Sequence, residues 1–211
     1  MIYPNGTPCS FPHVPNNISS FNAVIKTIST VTNQLKLAFP STAIYPTLGN
    51  HDYYPANQFP AHTNPVYNAT SQLWASWLNG HSPPTLSKYG YYTQLTNSTP
   101  QMHLIALNTN LYYAYDNAPG LGVDPGNQFQ WLKTTMRFVR TTGLKAVVIG
   151  HIAPGAFERV PNITWFRPQY NKRFLQILRQ NSDVIAMNLF GHDHTDSFRI
   201  IRDTQGDMNN Q

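Results

Sequence analysis

Cysteine, charge and long apolar runs are all scarce in this sequence. Its 211 residues include one cysteine, Cys9, which excludes both an internal disulfide framework and a cysteine-rich zinc site. Charged residues make up only 11% of the chain, well below the usual quarter, which argues against a coiled coil or an acidic tail. No apolar run reaches the ~18 to 20 residues that a membrane-spanning helix requires. We therefore expect no transmembrane segment.

Apolar and aromatic side chains, in contrast, are plentiful. Hydrophobic residues make up 41% of the chain and aromatic residues 13%, which is enough for a folded core and argues against intrinsic disorder. The formal net charge is +5, but the basic residues are scattered and form no stripe of the kind that binds nucleic acid. The chain shows no repeat and no linker. We expect one domain over residues 1–211, monomeric, that does not bind nucleic acid.

The sequence contains five Asn-x-Ser/Thr sequons, where chance composition predicts about three. They begin at Asn5, Asn17, Asn68, Asn97 and Asn162. This mild excess favours a glycoprotein of the secretory pathway, although the first residues lack the basic and apolar segments of a signal peptide. Cys9 is either a buried or free thiol or, in a secreted parent protein, a residue whose disulfide partner lies upstream.

Apolar residues recur alternately with helical and strand periods along the chain. Helices are predicted from Ser19 or Ser20 to Phe39 and over residues 65–78, 124–142 and 169–179. Strands are predicted over residues 43–48, 89–95, 102–107, 144–149, 184–190 and 197–201. Short apolar strands that alternate with amphipathic helices are typical of a layered α/β domain.

Three of the predicted strands are followed directly by a glycine, and a histidine lies one or two residues after that glycine. The three segments are Gly49–Asp52, Gly150-His151 and Gly191–His194. Ligand sites in α/β sheets lie just past the carboxyl ends of strands, so we expect four histidines to meet at one edge: His51, His151, His192 and His194. The remaining histidines for which no such junction exists, His62, His81 and His103, are expected to be ordinary polar side chains.

The residue types at these strand ends suit a divalent metal ion. Imidazole nitrogens and the carboxamide oxygen of Asn50 are ligands for zinc, manganese or iron. His192 and His194 are one residue apart, so on extended backbone both side chains would leave the same face. His51 precedes Asp52, a carboxylate able to raise its basicity, and is predicted to protonate a departing oxygen. The alternative is that His51 and Asp52 form only a loop hydrogen bond.

These motifs resemble the later motifs of the calcineurin-like metallophosphoesterases and, more narrowly, the acid sphingomyelinase-like phosphodiesterases. The resemblance extends to YPTLGNHDY (45–53), LNTNLYY (107–113), DP with QFQWL (124–132) and GHIAPG (150–155). It implies an α/β sandwich of two mixed sheets flanked by helices, here without its first strand, around a dinuclear centre of zinc or, alternatively, manganese. The implied substrates are phosphodiesters, nucleotides and similar small phosphoesters, and the group is secreted or lysosomal.

The resemblance also implies the metal ligands. Asn50, His151 and His192 would bind one ion, and His194 the other. The family's Asp-x-His, which supplies ligands to the first metal, and its Gly-Asp, whose carboxylate bridges both ions, have no counterpart upstream of Asn50, and Cys9 occupies the bridging position. Two ions are implied for the complete family site, and one or none is expected in this chain.

Further roles that the resemblance implies concern the substrate. His51, backed by Asp52, would donate a proton or contact the phosphate. His13 would either assist near the leaving group or be a loop histidine. Independently of the resemblance, Tyr112, paired with Tyr113 near the site, is predicted to stack against a substrate base.

Two hypotheses about function remain open at this stage. In the first, the chain belongs to a metal-dependent phosphodiesterase that is active in its complete form. In the second, it is a catalytically inactive, truncated or diverged homologue that binds at most one metal ion or a phosphoester. The missing motifs favour the second hypothesis for this chain, and we expect a domain that is incomplete at its N-terminus.

Overall fold

The computed structural model describes residues 19–157 and 160–202, and in these ranges five α-helices and six β-strands follow one another. The helices are α1 (Phe21–Ala38), α2 (Pro65–Trp74), α3 (Pro84–Tyr89), α4 (Gln128–Thr142) and α5 (Pro168–Gln180). The strands are β1 (Tyr92–Leu95), β2 (His103–Ala106), β3 (Ala146–Ile149), β4 (Ala156–Phe157), β5 (Val160–Thr164) and β6 (Ile185–Leu189). Single 3-10 turns lie at Ala75–Trp77, Thr109–Tyr112 and Pro125–Asn127.

A four-stranded mixed sheet in the order β1-β2-β3-β6 forms the centre of the fold. Strand β1 is antiparallel to β2, whereas β2, β3 and β6 are parallel. Their last residues are in register, because Ala106 pairs with Ile149 and Ile149 with Leu189. The loops that follow these three strands therefore leave the sheet at one edge. The mixed sheet with flanking helices confirms the predicted α/β class.

Local capping explains where the helices begin. The hydroxyl of Ser20 accepts a hydrogen bond from the Ala23 N–H, and the side chain of Asn64 accepts one from Tyr67 N–H. Asp124 lies before the 3-10 turn Pro125–Asn127, and its carboxylate accepts from the N–H groups of Phe129 and Gln130 of α4, at 2.8 and 3.1 Å; α4 itself begins at Gln128, after Asn127. The four predicted helices are confirmed within a few residues of their predicted ends.

The observed strands differ more from the predicted ones than the helices do. A strand forms only beside a partner strand, and the local sequence does not identify that partner. Segments 43–48 and 197–201, both predicted as strands, pair with no other part of the chain that the structure describes. The second sheet within the described ranges is the antiparallel ribbon β4–β5, which was not predicted. The predicted strand over 89–95 begins only at Tyr92, since α3 ends in a left-handed Gly90 with φ of 81°.

Aromatic side chains between α4 and α5 fill one part of the core. Tyr112 stacks on Phe129 of α4 with ring centroids 4.3 Å apart, and it also contacts Tyr170 and Phe174 of α5. Strands β2 and β3 are buried along their whole length, as expected for the inner strands of a sheet with parallel pairing. No helix of the described ranges has the length and hydropathy to cross a membrane.

Candidate metal centre

Three polar side chains from distant parts of the chain meet at the carboxyl edge of the sheet. The Nε2 atom of His151 lies 2.8 Å from Oδ1 of Asn50 and 3.3 Å from Nδ1 of His192. Asn50 and His151 are 101 residues apart, and His151 and His192 are 41 residues apart. The structure thus brings together the two nitrogens and the one oxygen that the motifs placed in one metal site.

Backbone hydrogen bonds fix the loops that carry these side chains. The N–H of Gly150 donates to the carbonyl of Leu189, and the N–H of Gly191 donates to the carbonyl of His151, at 3.1 and 2.8 Å. These bonds continue the parallel pairing of β3 and β6 beyond the last residues of the strands. His151 and His192 are therefore held side by side by the sheet itself.

Glycines make room for the buried imidazole. A Cβ atom on Gly49 would lie 3.2 Å from Cε1 of His151, and a Cβ on Gly150 would lie 2.8 Å from the Cγ2 of Thr109. Both distances are shorter than ordinary van der Waals contact. The lack of a side chain at Gly49 thus leaves space for the His151 ring beside the Asn50 loop. The lack of one at Gly150 leaves space for the loop that carries Thr109.

Thr109 is a site residue that the sequence analysis did not single out. Its Oγ1 accepts hydrogen bonds from the backbone N–H groups of His151 and Ile152, at 3.1 and 2.7 Å. Asn110, one residue further on, donates through Nδ2 to the carbonyl of Leu48 at 2.9 Å. The loop after β2 therefore holds both the His151 loop and the chain leading into Asn50. The position of Thr109 just past a strand end was the available sequence feature.

The two central histidines are electrically neutral at pH 7. Burial and the nearby His192 lower the pKa of His151 well below its usual value. Burial, together with His194 and His51, lowers the pKa of His192 to about 4. Neutral imidazole is the form that binds a metal ion, so both side chains are in the binding form without losing a proton.

His51 and His194 lie close enough to influence the central pair electrostatically, but they are differently exposed. His51 is half-buried, whereas His194 is exposed to solvent. The expectation of extended backbone at His192 and His194 is wrong, because both have positive φ values, of 75° and 54°. Their side chains are consequently not related by the simple alternation of a strand.

Asp193, the residue between these two histidines, is buried and bonded to the protein. Its Oδ1 accepts from Nε1 of Trp165 at 2.6 Å, and its Oδ2 pairs with Arg199 at 2.9 Å. The ring of Trp165 in turn meets the His192 ring edge-on, with centroids 4.9 Å apart. Asp193 therefore has a structural role in which it anchors the loop of the two histidines.

The carboxylate of Asp52 closes the loop around Asn50. Its Oδ2 accepts from the N–H of Gly49 at 2.8 Å, and its own N–H donates to the Gly49 carbonyl at 2.9 Å. Burial raises the pKa of Asp52 to about 7, against the lowering effect of that Gly49 hydrogen bond. The predicted support of His51 by Asp52 stays a prediction.

The predicted substrate contact by Tyr112 is wrong. This side chain has no exposed surface and lies within the aromatic core between α4 and α5, where a substrate base cannot reach it. Its neighbour Tyr113 contacts the His192 ring edge-on at 5.2 Å but is itself buried. The accessible aromatic ring beside it is Tyr115, which is 51% exposed.

The other predicted residues lie elsewhere or outside the described ranges. His103 is buried in β2, with Nε2 3.2 Å from the Thr142 hydroxyl, and His62 and His81 are exposed. His13 and Cys9 fall outside the residues that the structure describes, as do the sequons at Asn5 and Asn17.

The donor set fits one divalent cation. Two neutral imidazole nitrogens and one carboxamide oxygen converge within hydrogen-bonding distance, and such nitrogen and oxygen ligands suit zinc or manganese. Among residues 19–157 and 160–202, no group of three or more His, Cys, Asp or Glu side chains is arranged to hold a metal ion. The convergent site thus depends on Asn50 as its third ligand.

Comparison with known proteins gives the family. Residues 20–196 match the family model of the calcineurin-like phosphoesterases. The chain belongs to this family. Calcineurin-like phosphoesterases are metal-dependent.

Several phosphodiesterases of the family are similar to this chain. It is 40% identical over 196 residues to acid sphingomyelinase-like phosphodiesterase 3b of Mus musculus, covering 92% of this chain and 43% of the relative. It is 38% identical over 206 residues to cyclic GMP-AMP phosphodiesterase SMPDL3A of Homo sapiens, covering 98% and 45%. It is 35% identical over 197 residues to sphingomyelinase phosphodiesterase C of Dictyostelium discoideum, covering 93% and 43%. The chain spans less than half the length of these relatives.

Proposed function

We propose that this chain carries the later half of a metal-dependent phosphodiesterase site. The observation that supports this most directly is the convergence of Asn50 Oδ1, His151 Nε2 and His192 Nδ1 at distances of 2.8 and 3.3 Å. These atoms come from three loops at one edge of the sheet, which is where ligands bind in folds of this kind.

In this proposal Asn50, His151 and His192 hold one divalent ion, zinc or alternatively manganese, and His194 contributes to a second. A divalent ion at this place would neutralise charge that develops on a phosphoryl group. His194 is solvent-exposed, so its side chain is accessible to such an ion or to substrate. The low pKa of His192, about 4, keeps the site in its binding form under acidic conditions as well.

His51 is the proposed proton donor to the leaving oxygen. It is half-buried and follows Asn50 directly, so it lies at the rim of the site. General acid catalysis of this kind typically contributes ~10²- to 10⁴-fold to a rate. Asp52, fixed by its hydrogen bond from Gly49, is the proposed orienting group.

The proposed substrates are phosphodiesters with a nucleotide or another small organic group. Support comes from the names of two relatives, a cyclic GMP-AMP phosphodiesterase and an acid sphingomyelinase-like phosphodiesterase. The exposed ring of Tyr115, next to the buried Tyr113 that contacts His192, offers a flat apolar surface to such a group. We further propose a secreted or lysosomal glycoprotein, monomeric in solution.

A second candidate function is that of an inactive homologue that binds one metal ion or a phosphoester without turnover. The observation that favours it is the lack, in the described part of the chain, of any acidic or histidine cluster that could complete a second metal site around His194. The two candidates differ in hydrolysis.

Metal content and hydrolysis measured together test the proposal. The purified chain is loaded with zinc or manganese, its metal content is determined by mass spectrometry, and bis(p-nitrophenyl) phosphate serves as substrate. We expect one bound ion, lost in Asn50→Ala and His151→Ala and kept in the exposed control His62→Ala. Turnover that disappears in the same two variants supports the phosphodiesterase. A bound ion without turnover supports the inactive homologue, and a wild-type chain that binds no ion overturns the phosphodiesterase.

A further inference from the structure

The carboxamide of Asn50 has two ends with opposite chemistry, and the structure fixes which end faces the metal centre. Its Oδ1 lies 2.8 Å from Nε2 of His151. Its Nδ2 points the other way and donates to Oδ1 of Asn57 at 2.8 Å. An amide oxygen has lone pairs for a cation, whereas an amide nitrogen offers only donor hydrogens. The orientation of this one side chain therefore decides whether Asn50 can be a ligand.

Asn57 is itself held firmly in place. Its N–H donates to the Asn50 carbonyl at 3.0 Å, and its own carbonyl accepts from the N–H of Asn117 at 2.8 Å. Its φ of 59° lies in the left-handed region, which asparagine, aspartate and glycine adopt more readily than other residues. The backbone of Asn57 is thus fixed on both sides, and its side-chain Oδ1 accepts from Nδ2 of Asn50.

We propose that Asn57 is a positioning residue that locks Asn50 with its oxygen toward the metal centre, an inference that rests on the proposed function. With this acceptor in place, a half-turn of the Asn50 amide would set Oδ1 of Asn50 against Oδ1 of Asn57, two acceptors with no hydrogen between them. Without the acceptor, the amide can turn and present its nitrogen to the ion. Partners that orient metal ligands typically contribute about 10- to 100-fold to metal affinity.

The left-handed backbone at Asn57 allows a clean substitution. Asn57→Gly removes the acceptor and keeps a residue for which φ of 59° costs nothing. Asn57→Asp keeps an oxygen acceptor at the same position and tolerates the same backbone. Asn79→Gly is the matched control, because Asn79 also has a left-handed φ, of 58°, but is exposed and lies beyond α2.

The experiment measures the dissociation constant for zinc at pH 7 by competition with a chromogenic chelator. We expect zinc binding about 10- to 100-fold weaker in Asn57→Gly, near wild-type binding in Asn57→Asp, and no change in Asn79→Gly. A thermal melt of each metal-free variant shows whether it is folded. Asn57→Gly and Asn57→Asp both keep the backbone conformation, so a purely structural role of that backbone predicts the same zinc affinity in both variants. Weaker binding in Asn57→Gly that Asn57→Asp restores therefore identifies positioning by the side-chain oxygen.

Failure of this inference and failure of the proposed function give different results. If zinc binding is lost in Asn50→Ala but unchanged in Asn57→Gly, the positioning role is wrong and the metal site stands. If the wild-type chain binds no zinc, the proposed function itself is wrong. If Asn57→Gly does not fold, the inference is tested on the wild-type chain by NMR. We expect the side-chain amide protons of Asn50 to exchange slowly with solvent, and fast exchange would overturn the inference.

Discussion

Asp116 carries a carboxyl group in an environment that opposes its charge. The residue is 1% exposed, and its Oδ1 accepts from the N–H of Ala118 at 2.9 Å. Its Oδ2 is buried and has no hydrogen-bond partner among the described residues. Burial raises the pKa of Asp116 to about 7, although the Ala118 hydrogen bond and the charge of Arg167 act in the opposite direction.

This raised pKa predicts the sign of a pH dependence. Between about pH 4 and pH 7 the native state keeps a proton on Asp116 that the unfolded state has lost, so the contribution of this group to stability falls as the pH rises. We expect Asp116→Asn to have a higher Tm than wild type at pH 8 and to lose this advantage toward pH 4. Thermal melts across that range test this prediction, and each kcal/mol of difference in stability is expected to shift the Tm by about 2–4 °C.

Asp183 is a control residue, because its pKa is shifted in the opposite direction to that of Asp116. It is exposed and paired with Arg140 at 2.7 Å, and the Arg140 hydrogen bond lowers its pKa. Asp183→Asn should therefore lower the Tm slightly at neutral pH and leave it unchanged in acid. If the Tm difference between Asp116→Asn and wild type were the same at pH 4 and pH 8, the account of Asp116 would be wrong.

A buried hydroxyl joins the loops that follow β2 and β3. Thr109 is fully buried, and its Oγ1 accepts from the N–H groups of both His151 and Ile152. A buried N–H that loses its partner costs about 1–3 kcal/mol. Thr109 therefore adds a side-chain connection between the two loops to the backbone pairing of β2 and β3.

Replacement of that hydroxyl by a methyl group tests the connection. Thr109→Val keeps the shape of the side chain and leaves two backbone N–H groups without an acceptor, so we expect a loss of at least 1–3 kcal/mol in the free energy of unfolding. Urea denaturation measures it. Thr109→Ser keeps the oxygen and should be closer to wild type, so equal losses in both variants would contradict the predicted role.

Elements with local sequence features were predictable, and elements that depend on distant partners were not. The helices were found because the helical period of their apolar residues is a local feature. Contacts a few residues away support it, such as those from the N–H groups of Ala23 and Tyr67 to the side chains of Ser20 and Asn64. Two features depend on pairing between strands, which the periodicity of one strand does not contain: the ribbon β4–β5, and the lack of a sheet partner for segment 43–48 among residues 19–157 and 160–202.

The site shows the same division. The meeting of His151 and His192 follows from strand ends that share an edge, which the alternating pattern predicts. Asn50 reaches them from segment 43–48, which is not a strand of the sheet in the described ranges. The left-handed backbone at His192 and His194 does not follow from local sequence, because both flank Asp193, which is held by Trp165 and Arg199. The burial of Tyr112 likewise depends on rings brought in by α4 and α5.

At the scale of the whole molecule, the sequons can be compared with the surface. Asn68, Asn97 and Asn162 are all exposed, so each is accessible to the enzymes that attach glycans. This accessibility supports the proposed passage through the secretory pathway. Asn5 and Asn17 lie outside the described residues.

Expression behind a secretion leader in eukaryotic cells tests this proposal. We expect a heterogeneous product whose mass falls after treatment with peptide N-glycosidase F. Each of the variants Asn68→Gln, Asn97→Gln and Asn162→Gln should lose one glycan and move faster on a denaturing gel by one band shift. The triple variant should show all three shifts. A secreted product whose mass is unaffected by the glycosidase would contradict glycosylation.

The wide spacing of the three site residues has a consequence for biosynthesis. A ribosome that has just added Asn50 must add 142 more residues before it reaches His192. At ordinary rates of translation this takes roughly 7 to 28 s, during which the nascent polypeptide holds only part of the cluster. Any message that stops before codon 192 yields a product in which the cluster is never completed.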